Sequence, residues 1–128
     1  MDLLDQIDFA KNDGLVTAIA QDHSTGEILM VAFMNEESFR LTVETGSVVY
    51  WSRSRNKLWR KGEESGHTQQ LKSLYIDCDG DSVLVQVEQI GGAACHTGRR
   101  NCFFRKLDGE GFIDVGVKVF DPAKVYNK

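Results

Sequence analysis

Apolar residues first alternate and then cluster along this chain. In "LVTAIAQDHSTGEILMVAFMN", two apolar runs, Leu15–Gln21 and Glu27–Phe33, flank the turn residues Asp22–Gly26, which predicts a β-hairpin. "NEESFRLTVETG" changes to a helical pattern. Asn35 suits the N-cap, Glu36 and Glu37 the first turn, and Gly46 the stop, with Phe39 and Val43 on one face. "SVVYWSRS" is β-branched and aromatic, as strands are. "NKLWRKGEESGHTQQ" has no clear period and reads as a loop. "LKSLYIDCDG" and "DSVLVQVEQIGG" read as two strands turning near Asp79–Asp81, with Val83, Val85 and Val87 sharing a face. "AACHTGRRNC" is rich in turn residues, "FFRKL" is a short strand, and "FIDVGVKVFDP" is a last one. Strands dominate and loops are short. The expected class is α+β, with a mostly antiparallel twisted sheet and few short helices.

Composition narrows the picture. The 128 residues fit one domain, 1–128, and 41% hydrophobic with 27% charged residues is ordinary for a globular protein. No segment approaches the ~18 apolar residues of a membrane span. The acidic, mixed N-terminus does not resemble a signal peptide, so the expected location is cytoplasmic, where thiols stay reduced. The three cysteines are an odd number, which argues against a disulfide framework. A net charge of −4 argues against nucleic-acid binding by the protein as a whole, and the expected partner is a small molecule.

The chemistry concentrates between residues 51 and 102. Asp77, Asp79 and Asp81 would lie on one face of an extended segment, where three like charges repel unless a cation such as Mg²⁺ sits among them. They match the first positions of an EF-hand, but Ser82 stands where the sharp turn needs glycine and the flanks read as strands. A solvated acidic turn is the other reading. Cys78, Cys95 and Cys102 lack CxxC spacing. Three thiolates would give a tetrahedral zinc one open position for an activated water, while buried free cysteine remains the alternative. On a strand, Cys78 would point away from its aspartate neighbours. His96, next to Cys95, is a candidate general base, and His67 a weaker one.

"YWSRSRNKLWRKGEESGH" gathers Arg53, Arg55, Lys57, Arg60 and Lys61, interleaved with Trp51 and Trp59. On an acidic chain this marks a local anion site, since arginine forks match phosphate oxygens. Arg53, Arg55 and Lys61 are candidates for a phosphate. A single-stranded nucleic-acid platform has the same ingredients.

Three motifs in order, "YWSRSRNKLWRKGEESGH", "IDCDGD" and "ACHTGRRNCFFR", resemble the phosphoribosyl-AMP cyclohydrolase family. The similarity runs from "DFAKNDGLVTAIAQD" to "CFFRKL", while the last twenty or so residues carry little signature. The resemblance implies hydrolysis of the N1–C6 bond of the adenine ring in N1-(5-phosphoribosyl)-AMP, the third step of histidine biosynthesis. It implies zinc, magnesium and an intertwined homodimer with zinc at the subunit interface. Cys78 of one subunit and Cys95 and Cys102 of the other would hold zinc, and Asp77, Asp79 and Asp81 magnesium. His96 and His67 would be catalytic, and Trp51, Arg53, Arg55, Lys61, Glu63 and Ser65 would contact substrate. A zinc-dependent purine deaminase is the other enzyme reading, although the H-x-E…P-C-x-x-C signature is absent.

Overall fold

The computed structural model describes residues 3–121. After two 3₁₀ turns, Leu3–Gln6 and Ala10–Asn12, the elements are β1 (Val16–Asp22), β2 (Ile28–Met34), α1 (Glu36–Thr45), β3 (Val49–Ser52), β4 (Lys57–Arg60), β5 (Gln69–Ile76), β6 (Ser82–Gln89), β7 (Arg105–Asp108) and β8 (Gly111–Asp114). Six strands form one sheet in the order β4-β3-β2-β1-β6-β5, and β7 and β8 form a separate hairpin.

β1 and β2 form the expected antiparallel hairpin. A register shift after Ala20 lets adjacent Leu29 and Met30 of β2 both bury. The centre of the sheet corrects the expectation drawn from short loops. β2 occupies one edge of β1 and β6 takes the other, running parallel to it, so the sheet is mixed. Ala18 and Ala20 lie beside Val83 and Val85 in this register, and all four side chains enter the core.

The sheet also curls. The Val48 N–H donates to the Gln69 carbonyl at 3.0 Å and the Leu71 N–H to the Gly46 carbonyl at 2.8 Å. These bonds, with a bridge between Ser47 and Gln70, bring the far edge strand β5 back to the segment that leads into β3. The enclosed core holds Val16, Leu29, Met34, Val48, Tyr50, Val85 and Val87, each fully shielded. Burial of such apolar side chains contributes about 1.5–3 kcal/mol apiece.

α1 begins and ends as its sequence predicts. Asn35 Oδ1 accepts the Ser38 N–H at 2.8 Å, and Ser38 Oγ accepts the Asn35 N–H at 2.8 Å, which completes a capping box. Gly46 closes the helix at φ +76°. The inward face differs from the expected one: Phe39, Ser38 and Thr42 are buried, while Val43 is exposed. Thr42 wins the inner position by hydrogen bonding: its hydroxyl accepts the Val49 N–H at 2.9 Å and so docks the helix on β3.

Two further differences concern loops. β4 lies inside the segment read as a loop and pairs with β3, Trp59 opposite Tyr50. The expected strand over 112–122 is instead the short β8 followed by an irregular arm, whose Val115 N–H donates to the Phe104 carbonyl at 2.8 Å. Position 122 lies outside the described residues. Phe103, Leu107, Phe112, Ile113, Val115, Val117 and Val119 are all exposed along the β7–β8 hairpin and the chain that flanks it. Among the described residues, no helix is long and apolar enough to cross a membrane.

Candidate active site

The three aspartates converge, but not by strand alternation. β5 ends at Ile76, and residues 77–81 form the turn to β6. Asp77 Oδ1 accepts the N–H groups of Asp81 at 3.0 Å and Ser82 at 3.2 Å, which folds the tip over its own first residue. The carboxylates of Asp77, Asp79 and Asp81 then offer oxygens within 4.8 Å of one another, and among the described residues no other such group of three exists. Gly80 takes φ +73° and presses against the Gln6 carbonyl, where a Cβ would approach to 2.9 Å. Its own carbonyl accepts the Asp8 N–H at 2.7 Å, which straps the N-terminal segment over the turn.

Lys11 on that segment already supplies a cation. Its Nζ lies 3.2 Å from Asp79 and 3.3 Å from Asp81. Lys11 holds the Asp79 carboxyl below its ordinary range. Side-chain hydrogen bonding to Asp77 and Asp79 holds Asp81 above its own. That split is what crowded carboxylates show when too little positive charge is present. The hard oxygen set therefore fits a divalent cation such as magnesium.

All three cysteines are free thiols. Cys95 and Cys102 sit together in the loop after β6. The loop closes on itself through Ala94 N–H to Arg100 carbonyl at 2.9 Å and Cys95 N–H to Arg99 carbonyl at 3.2 Å. The Cys102 N–H reaches the Leu29 carbonyl of β2 at 2.8 Å. Thr97 Oγ1 donates to Cys95 Sγ at 3.0 Å. Although Cys102 has an exposed side, desolvation of its thiol and the adjacent Cys95 push it up to about 12. A thiol pair of this kind gives up its protons to a soft cation far more readily than to water. Two sulfur donors fit zinc, though they leave its set incomplete. Cys78 is exposed at the aspartate turn and does not join them within one chain.

Beside the thiols lies a cavity of about 340 Å³, lined by Ser52, Ser54, Arg55, Trp59, Lys61, Gly62, Glu63, Glu64, Ser65 and His96. The basic aromatic loop and the residue after Cys95 thus meet at one hollow. Of the sequence candidates, Arg55, Lys61, Glu63, Ser65 and His96 line it, and Trp51, Arg53 and His67 do not. Arg53 instead lies over the Phe33 ring, 4.0 Å from its centroid. Trp51 is half-buried in β3 opposite Leu58. His67 Nδ1 is 3.3 Å from the Ala93 carbonyl, and its ring meets Phe120 edge-on at 4.8 Å. Sequence reasoning did not single out Ser52, Ser54, Glu64 or Lys11. Lys11 is 68 residues from Asp79, and nothing local signals the pairing.

A family model for phosphoribosyl-AMP cyclohydrolase matches residues 30–104. That span includes every cavity residue and all six candidate metal ligands. The chain belongs to the phosphoribosyl-AMP cyclohydrolase family. It is 55% identical over 123 residues to the phosphoribosyl-AMP cyclohydrolase of Desulfatibacillum aliphaticivorans, covering 96% of this chain and 98% of that one. It is 58% identical over 125 residues to the one from Marinobacter nauticus, covering 98% and 90%. A relative from Methanothermobacter thermautotrophicus is 57% identical over 116 residues, covering 89% and 83%. Membership in the cyclohydrolase family thus extends over nearly the whole chain, including residues outside the three motifs.

Proposed function

We propose that this chain is a cytoplasmic phosphoribosyl-AMP cyclohydrolase of histidine biosynthesis, dependent on zinc and magnesium and active as an intertwined homodimer. The observation that carries the reading is the cavity in which His96, the neighbour of Cys95, faces the arginine- and tryptophan-bearing loop.

In the reaction, water adds to C6 of the N1-ribosylated adenine ring and the N1–C6 bond breaks. The water oxygen becomes the carboxamide oxygen, and N1 takes up a proton as the ring opens. Cys95 and Cys102, with Cys78 of a second copy, would hold zinc, whose chemistry is to make water a nucleophile at neutral pH. His96 in the cavity wall takes the proton from the attacking water and returns it to N1. Trp59 offers an aromatic face to the ring, and Arg55 a bidentate fork to one 5′-phosphate. Asp77, Asp79 and Asp81 would hold magnesium, whose chemistry would be to neutralise negative charge such as that of the other phosphate.

The dimer draws support from this exposed apolar hairpin and its flank, where Phe112 is 70% and Val117 63% exposed. Monomers rarely leave so many large apolar side chains open to water.

Purified protein should open N1-phosphoribosyl-AMP, followed by its ultraviolet absorbance. Cys95→Ser should lose zinc and activity together. Wild-type turnover by that variant without zinc would sink the mechanism.

A further inference from the structure

Lys61 is the only buried charged residue among those described, with 8% exposure. Its backbone N–H is fixed to the Val48 carbonyl at 3.1 Å, so its Cα belongs to the rigid sheet. Its Nζ donates to the Ala94 carbonyl. The same ammonium lies 5.2 Å from the Trp59 ring centroid. Ala94 is the residue before Cys95, and its own N–H is tied to Arg100 on the return limb of the loop. One buried ammonium therefore connects the end of β4 to the peptide that presents Cys95. A buried ammonium is costly unless it is paired.

We propose that Lys61 is a positioning residue for the thiol pair, its buried ammonium fixing the Cys95 backbone through the Ala94 carbonyl. This rests on the reading of Cys95 and Cys102 as zinc ligands. It departs from a phosphate-binding role, because the ammonium, although Lys61 helps line the cavity, is already engaged by the Ala94 carbonyl. The side chain acts as an outer-shell partner, of the kind that orients ligands without touching the metal.

Lys61→Met keeps the length and apolar stem but removes donor and charge. The variant should keep the wild-type far-ultraviolet circular dichroism and native mass. In competition with a chelator its zinc affinity should fall about tenfold or more, the usual effect of losing an outer-shell partner. The visible spectrum of the cobalt-loaded protein should shift, because the thiolate geometry changes. With metal in excess, kcat should drop while KM moves less than about threefold, as expected for a group that does not bind substrate. Lys61→Arg, which retains a charged donor, should recover part of the zinc affinity. Unchanged zinc affinity in Lys61→Met overturns the proposal, as does a KM raised about tenfold with zinc retained, the pattern of a lost phosphate contact. Wild-type protein that binds no zinc overturns both this and the zinc reading, whereas zinc-bound wild type with an unaltered variant overturns this alone. Should Lys61→Met fail to fold, amine labelling of the wild-type zinc protein decides. Lys61 should label far more slowly than exposed Lys72, and equally slowly with or without saturating AMP. Labelling as fast as Lys72, or protection that requires AMP, overturns the proposal.

Discussion

Asp77 Oδ1 accepts the backbone N–H of Asp81 at 3.0 Å, so one carboxylate builds the turn on which the other two are displayed. The three aspartates are therefore not equivalent. Asp77→Ala should cost about 0.5–1.5 kcal/mol in urea unfolding, because the Asp81 and Ser82 N–H groups, whose hydrogen bonds are exposed, exchange a fixed carboxylate for water. Asp79→Ala should leave stability nearly unchanged. Both should weaken Mg²⁺ or Mn²⁺ binding by about tenfold or more in titration calorimetry, since each would remove an oxygen from the proposed ligand set. Equal stability losses for the two variants would contradict the division of roles.

Lys11 stands where a divalent cation would bring its charge. Lys11→Met should raise Mg²⁺ affinity by about threefold, the scale of an exposed ion pair. Added sodium chloride should shrink the difference, because the pair is open to screening. A lower affinity in Lys11→Met would mean that Lys11 supports the site and does not compete for it.

The Tyr50 hydroxyl donates to Gln69 Oε1 at 2.6 Å, and Gln69 Nε2 donates to Gln89 Oε1 at 2.9 Å. Gln89 Nε2 in turn reaches the His67 carbonyl at 2.9 Å. Tyr50 and Gln69 are fully buried. Tyr50→Phe strands an amide oxygen in the core and should cost about 1–3 kcal/mol by urea denaturation. Because the chain of bonds ends on the loop that forms the cavity wall, KM should rise as well. A variant as stable as wild type would show that water replaces the hydroxyl.

Much of this architecture is visible in the sequence, and what is hidden has a physical cause. The β1–β2 hairpin and the ends of α1 follow from local signals such as Asp22–Gly26, Asn35 and Gly46. β4 is hidden because Lys57 and Arg60 flank only two apolar residues, and its strand character comes from pairing with β3. The parallel union of β1 with β6 joins residues such as Ala18 and Val83, about which no short window carries information. At the site, the motifs contain the three aspartates and the thiol pair that the fold gathers, but the turn geometry differs from the expected strand alternation. The aspartates meet through hydrogen bonds to Asp77, where alternation alone would have spread them along a strand. That Lys61 is buried while Arg55, which lines the same cavity, is exposed depends on packing, which composition does not encode.

Asp22 gives a pH test of the loop that carries the thiols. Its carboxylate accepts the N–H groups of Ser24 at 2.8 Å and Thr25 at 3.1 Å, and Arg100 Nη2 lies 3.1 Å away. Arg100 also bonds Glu27 at 2.5 Å and so clamps the cysteine loop to the β1–β2 turn. Burial of Asp22 works against its charge, but the two hydrogen bonds and Arg100 outweigh it, and the carboxyl ends below its ordinary range. A folded pKa below the unfolded one means that the stabilisation is complete above the unfolded value of about 3.9 and fades as pH falls through the folded value. Asp22→Asn should be less stable than wild type by about 1 kcal/mol at neutral pH. The gap should close on acidification below about pH 4. A gap that stays constant would assign the effect to packing.

A zinc set shared between two copies, as proposed, would make a quantitative prediction about mixed dimers. Suppose Cys78 of one copy completes the pair Cys95–Cys102 of the other. In a dimer of one Cys78→Ser chain and one Cys95→Ser chain, one site loses both residues and the other is intact. Neither parent homodimer has an intact site. After co-refolding in equal amounts, about half of the dimers are mixed, each with one of two sites restored, so about a quarter of the wild-type zinc and activity should return. If all three cysteines served one chain, mixing would restore nothing. The apolar hairpin and its flank supply a control. Phe112→Ser and Val117→Ser in the same chain remove two of the most exposed apolar side chains, 70% and 63% open in the single chain. That pair should shift native mass towards monomer and abolish the complementation. Full recovery in a monomeric variant would rule out a zinc shared between copies.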